Sequence, residues 1–104
     1  MKYCVTLVTV DTAVNAEKIG RKLVDEGHAA CVNVIPSVTS IYRWKGKRME
    51  GREALLIIKT RASRAAGLTK RVIELHAYEV PEIIHLPIQA GSKEYLEWIN
   101  EVTR

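Results

Sequence analysis

Phenylalanine is absent from this sequence, cysteine occurs twice, proline three times, and no apolar stretch is long enough to cross a bilayer. Each shortage excludes something. Cys4 and Cys31 are too few to staple a small secreted fold and too far apart for a C-x-x-C metal pair, so free thiols in a reducing cytoplasm are expected. The apolar-leaning stretch Tyr3 to Val10 contains two threonines, ends at Asp11 and lacks a small-residue cleavage site, which argues against both a signal peptide and a membrane span. Charge of one sign is missing too. The 16 Lys and Arg and 12 Asp and Glu are scattered along the chain, and a formal net charge of +4 does not by itself make a nucleic-acid binder.

What is present suits one globular domain spanning 1–104, with 47% of residues hydrophobic and 27% charged. Tyr3 to Val10 reads as a first strand, and Asp11 or Thr12 can cap the helix that follows, whose apolar positions Ala16, Ile19, Leu23 and Val24 fall at helical spacing. Gly27 is placed to end that helix in a left-handed turn. A second strand starts near Ala29, bends or bulges at Pro36 and Ser37, and runs to Trp44, where Lys45 and Gly46 supply a turn into the strongly apolar strand Glu53 to Thr60. Ser63 can cap a second helix with His76 in its last turn. Val80 before Pro81 is extended, Ile83 to Ile88 forms an edge strand, and Ser92 starts a last helix through Tyr95, Leu96, Ile99 and Val102.

The order strand, helix, strand, strand, helix, strand, helix predicts an α+β fold: a ferredoxin-like βαββαβ antiparallel sheet, helices gathered on one face, and an extra C-terminal helix. Such a sheet leaves its second face bare. Here both parities of the central strands are apolar, with Leu55 and Ile57 opposing Leu56 and Ile58, so a cover from other copies of the chain is expected.

Three functions common on such a sheet can be set aside from the residues. An RNA-recognition sheet needs aromatic rings on its central strands, and the third strand has none. A soft-metal carrier would hold two cysteines after the first strand, and an acylphosphatase-like enzyme a glycine-rich cradle; this chain has Val10-Asp11-Thr12-Ala13 there. Tyr42 and Trp44 share a strand parity and suit a cleft or a subunit contact. Lys59 is the odd residue of an apolar strand and must snorkel, pair or hold an anion, and His76 suits either a helix terminus or a ligand role. Cys31 reads as a packed strand residue or, given a base nearby, a nucleophile.

Five stretches carry a wider likeness: Ala29-Ala30-Cys31-Val32-Asn33, Ser40-Ile41-Tyr42-Arg43-Trp44, Ile58-Lys59-Thr60, His76-Ala77-Tyr78-Glu79-Val80-Pro81-Glu82 and Tyr95-Leu96-Glu97-Trp98. Together, in this order, they resemble the CutA family of divalent-cation tolerance proteins. The one visible departure is His76-Ala77-Tyr78, where that family usually has His-Pro-Tyr. The resemblance implies a PII-like homotrimer with intersubunit clefts and a link to copper and other divalent ions, but no reaction. Metal ligation carries over to His76 and, less directly, to Cys31, while Tyr42, Trp44, Lys59 and Tyr78 are the expected cleft residues for a small ligand. The function expected is that of a cytoplasmic metal-tolerance or sensing trimer that contacts neither nucleic acid nor membrane. A small hydrolase with its site between subunits is the alternative.

Overall fold

The computed structural model describes residues 2–104. Strands β1 (Tyr3–Val10), β2 (Cys31–Trp44), β3 (Lys47–Arg61) and β4 (Ile83–Pro87) alternate with helices α1 (Ala13–Asp25), α2 (Ala65–Leu75) and α3 (Lys93–Val102) in the order β1, α1, β2, β3, α2, β4, α3. The strands form one antiparallel sheet ordered β2-β3-β1-β4, the pairing of two interlocked split βαβ units.

The core lies on one face of the centre of this sheet. Cys4, Thr6, Val8 and Val10 of β1 oppose Thr60, Ile58, Leu56 and Ala54 of β3, and all eight are buried. Ile19 and Leu23 of α1 and Leu68 and Val72 of α2 pack down on them. Helix α1 starts where Thr12 accepts a hydrogen bond from the Asn15 amide at 3.1 Å, and Asp11 receives the Thr12 amide at 2.9 Å. It approaches β2 closely, for a Cβ on Gly20 would stand 3.1 Å from Val32 Cγ1. Gly27, at φ 77°, supplies the left-handed exit.

Two sequence expectations shift at α2. The Ala62 amide donates to Lys2 O at 2.8 Å, prolonging the β1–β3 ladder, and the chain then makes a short 3-10 turn over Ala62–Arg64. Ser63 therefore lies inside that turn, and α2 begins at Ala65 without a side-chain cap. At the other end His76 is extended, with φ −84° and ψ 144°, so it follows the helix rather than occupying its last turn.

The third shift is larger, because the helices are not all on one face. Arg61, on the β3 parity of Leu55, Ile57 and Lys59 and so opposite the core, donates from Nε to Thr103 Oγ1 at 2.9 Å, and Arg64 Nε donates to Thr103 O at 2.6 Å. Those bonds bring the end of α3 to the second face. The helix covers only that end of it, while Ile35, Ile84 and Leu86 stay 37%, 47% and 45% exposed. An apolar sheet face remains open in the protomer.

Candidate functional site

Strand β1 pairs with β3 only over Ala54–Arg61, so beyond Glu53 strands β2 and β3 continue as a two-stranded ribbon. The register breaks between Ile35 and Val38, where Pro36 and Ser37 sit. That bulge inverts the parity of β2. Before it, Cys31, Asn33 and Ile35 face the partners Lys59, Ile57 and Leu55; after it, Val38, Ser40, Tyr42 and Trp44 take over the same side, with Glu53 opposite Val38. At the tip Lys45 and Gly46 have φ 49° and 78°, the two positive values a tight two-residue hairpin requires.

The ribbon overhangs the segment that follows α2, and between them lies a groove of about 700 Å³ lined by Tyr42, Trp44, Glu53, Tyr78, Glu79 and Glu82 among others. Its floor is held by hydrogen bonds. Tyr78 donates its hydroxyl to Glu53 Oε2 at 2.8 Å, and burial, then that carboxylate, push the phenol well above its ordinary range. His76 stands beside Tyr78, ring centroids 4.7 Å apart. The Tyr78 amide donates to His76 Nδ1 at 3.0 Å, which makes Nδ1 the acceptor nitrogen and leaves Nε2 to donate its proton to Thr9 O at 2.6 Å. Both nitrogens are thus engaged. The imidazole ties the segment after α2 to the end of β1, and the alanine in place of the usual proline at residue 77 does not prevent this.

Cys31 and Lys59 belong to a different place. They are register partners at the far end of the sheet, where Lys59 Nζ donates to Asn33 Oδ1 and the Cys31 thiol lies 3.9 Å from the same oxygen. Tyr95 of α3 reaches the Cys31 thiol, its phenol raised by burial and then by that thiol. Along the strand, Lys59 to Leu55, the partner of Thr9, is about 13 Å at about 3.3 Å per residue. One protomer therefore brings Tyr42, Trp44 and Tyr78 together beside His76, and holds Cys31 and Lys59 apart from them. Among the described residues no three His, Cys, Asp or Glu side chains are grouped so as to hold a metal ion. The described residues of one chain, taken alone, do not supply the converging ligands of a divalent-metal centre.

Sequence reasoning missed Glu53, Glu79 and Glu82 as groove residues. Glu53 carried a readable signal, a carboxylate at the start of an apolar strand, but its partner lies 25 positions away in a loop. No helix among the described residues is long and apolar enough to cross a membrane.

Comparison with known proteins agrees with this architecture. Residues 4–102 match the family described as CutA1 divalent ion tolerance protein. The chain is 48% identical over 99 residues to the divalent-cation tolerance protein CutA of Thermus thermophilus, covering 95% of this chain and 96% of that one. It is 47% identical over 100 residues to the chloroplastic CutA of Arabidopsis thaliana, covering 96% of this chain but 55% of the relative. The solved structure of the Thermus thermophilus protein superposes with a TM-score of 0.95 at 47% identity, covering 98% of this chain and 99% of that one.

Proposed function

Because this chain belongs to the CutA1 divalent ion tolerance family, we propose that it serves divalent-cation tolerance as a cytoplasmic homotrimer that binds ions or small ligands between its subunits rather than catalysing a reaction. The observation that carries this reading is the ribbon. Two antiparallel strands alone are marginal in water, yet this pair projects from the sheet with Ile41, Tyr42 and Trp44 at 63%, 48% and 44% exposure. Added to the open apolar sheet face, that surface is what a closed cyclic assembly would bury.

The same geometry bears on the metal. His76 and Cys31 are separate within a protomer, so a copper site using both needs them from different subunits, and an ion reaches the imidazole only by displacing one of its two hydrogen bonds. Affinity is then modest, because binding must offset the hydrogen bond that is lost. The hydrolase alternative has less support: the Cys31 thiol meets the Asn33 amide oxygen, which also accepts from Lys59, and the Tyr95 phenol, and neither an amide nor a phenol is a general base at neutral pH.

The test is copper titration under a competing chelator, with native mass spectrometry of wild type and His76→Ala. A trimer whose copper affinity drops in the variant supports the reading. A folded monomer at micromolar concentration overturns the assembly, and equal affinity in the two proteins removes His76 from the metal.

A further inference from the structure

The end of the sheet farthest from the ribbon carries charge that the protomer leaves unbalanced. Between Glu53 and Glu74 the sequence has no Asp or Glu, yet it holds Lys59, Arg61, Arg64, Lys70 and Arg71. Of the arginines, Arg61, Arg64 and Arg71 are the half-buried ones. Arg71 is paired, since Glu26 accepts from its Nε at 2.7 Å and from its Nη2 at 3.0 Å. Arg61 and Arg64 are not. Among the described residues neither guanidinium has a carboxylate within ion-pair distance.

One residue at the end of α3, Thr103, holds them instead. Arg61 donates from Nε to Thr103 Oγ1 at 2.9 Å and from Nη2 to Thr103 O, and Arg64 Nε donates to that same carbonyl at 2.6 Å. Thr103 is fully buried and its hydroxyl donates in turn to Ile99 O at 2.7 Å, so both guanidinium groups have a rigid mount. Two nitrogens bonded to one oxygen are at most about 6 Å apart. A helix C-terminus attracts cations, but its dipole is equivalent to about half a negative charge, against two full positive ones. Capping of α3 therefore accounts for one arginine and leaves the second in excess.

We propose that Arg61 and Arg64 form a binding site for a phosphate group, carried by a small phosphate ester or free as inorganic phosphate. An arginine has five N–H donors, and only two are used on Arg61 and one on Arg64. A phosphate dianion matches the remainder in two ways. Its charge offsets the excess at the pair, and its tetrahedral oxygens serve two guanidinium planes at once, where a planar carboxylate fills one. Neighbouring groups act in the same direction. Lys2, whose carbonyl accepts the Ala62 amide at 2.8 Å, and Arg104, next to Thr103, are exposed cations beside the pair. Helix α2 opens at Ala65 with no acidic residue in its first turn, so its positive end adds to the field rather than offsetting it. The surfaces expected to meet other copies lie elsewhere. Arg61 stands about 23 Å beyond Ala54, where the ribbon ends, at about 3.3 Å per residue, and α3 of the same protomer covers this end of the sheet.

The test is calorimetric titration of the full-length protein, at constant ionic strength in chloride, with inorganic phosphate, glycerol 3-phosphate and acetate. Saturable binding of one or both phosphates is expected, the tighter of the two naming the source, with none from acetate. Arg64→Gln should bind about ten-fold more weakly, and so should Arg64→Lys, which keeps the charge and loses the fork. Lys93→Gln removes the same charge at the other end of α3, about 15 Å away, and should bind as the wild type does. Circular dichroism accompanies each titration; if Arg64→Gln loses helix, Arg64→Lys decides. Unchanged affinity in the Arg64 variants, heat that does not saturate, or equal binding of acetate would overturn the proposal. So would an equal loss in Lys93→Gln, which reduces the effect to diffuse attraction by net charge.

Discussion

Strand β3 is one continuous element with two different surroundings. From Leu55 to Lys59 it is paired on both sides, and Ala54, Leu56, Ile58 and Thr60 are buried on the core face. From Lys47 to Arg52 it is paired on one side only and exposed throughout. The inner half contributes its apolar side chains to the protomer's stability. The outer half contributes little, although it carries Met49 and faces Tyr42 and Trp44, so its apolar surface is available to something outside the protomer. A strand of 15 residues is long for a small sheet, and the length is understandable only if the projecting part has a second task.

The sharpest way to break this comparison is to cut one large side chain from each half. Leu56→Ala opens a cavity at a fully buried position and should lower unfolding free energy by about 2 to 5 kcal/mol, read from denaturant midpoints. Trp44→Ala should leave the chain's own secondary structure intact but raise the dissociation constant of the proposed assembly about 30-fold, as for an aromatic anchor worth about 2 kcal/mol. Sedimentation over a dilution series measures the second effect. If Trp44→Ala instead unfolds the chain without dissociating it, the two halves are not separate in function.

The two halves were also unequally legible in the sequence. The inner half announced itself by a continuous apolar run, and backbone geometry then sends Leu56 and Ile58 to one face, with Val8 of β1, and Leu55 and Ile57 to the other. The bulge was legible from Pro36, and the turn from Lys45-Gly46, since each follows from backbone restrictions local to a few residues. The position of α3 was not. Its Tyr95, Leu96, Ile99 and Val102 stripe marks an apolar face, but the contacts that place it, Arg61 and Arg64 to Thr103, join residues about 40 positions apart. The groove failed for the same reason. Tyr78 and Glu53 each look ordinary in their own segment, and the pair exists only after the ribbon has crossed the loop.

A smaller effect tests the groove's floor. Tyr78→Phe keeps the ring against His76 and removes only the hydroxyl donated to Glu53, so it should cost about 0.5 to 1.5 kcal/mol of stability. The change is confined to the ribbon's attachment, so hydrogen exchange at Val38 to Trp44 should accelerate while β1 keeps its protection. Uniform acceleration across β1 and the ribbon would show that the ribbon is not an independent unit.

The smallest expected effect concerns pH and the other edge of the sheet. His85 of β4 is clamped between hydroxyls, Nδ1 to Thr6 Oγ1 and Nε2 to Thr69 Oγ1, each at 2.7 Å, and so fastens β4 to both β1 and α2. Burial lowers its pKa from the ordinary 6.5. The direction of the stability change follows from which state takes the proton first. As pH falls through 6.5 the unfolded chain is protonated at this position before the folded one, so the unfolded state gains. The contribution is complete above 6.5 and declines as pH drops from there toward the lowered folded value. His85→Gln cannot titrate and should flatten that part of the profile while retaining a side chain able to meet both threonines. Urea midpoints for the two proteins between about pH 7.5 and 5.5 give the comparison directly, with His28 and His76 present in both and cancelling in the difference. A wild-type slope equal to that of the variant would mean that the clamp tolerates the imidazolium, with the threonine hydroxyls turning to accept from both ring nitrogens.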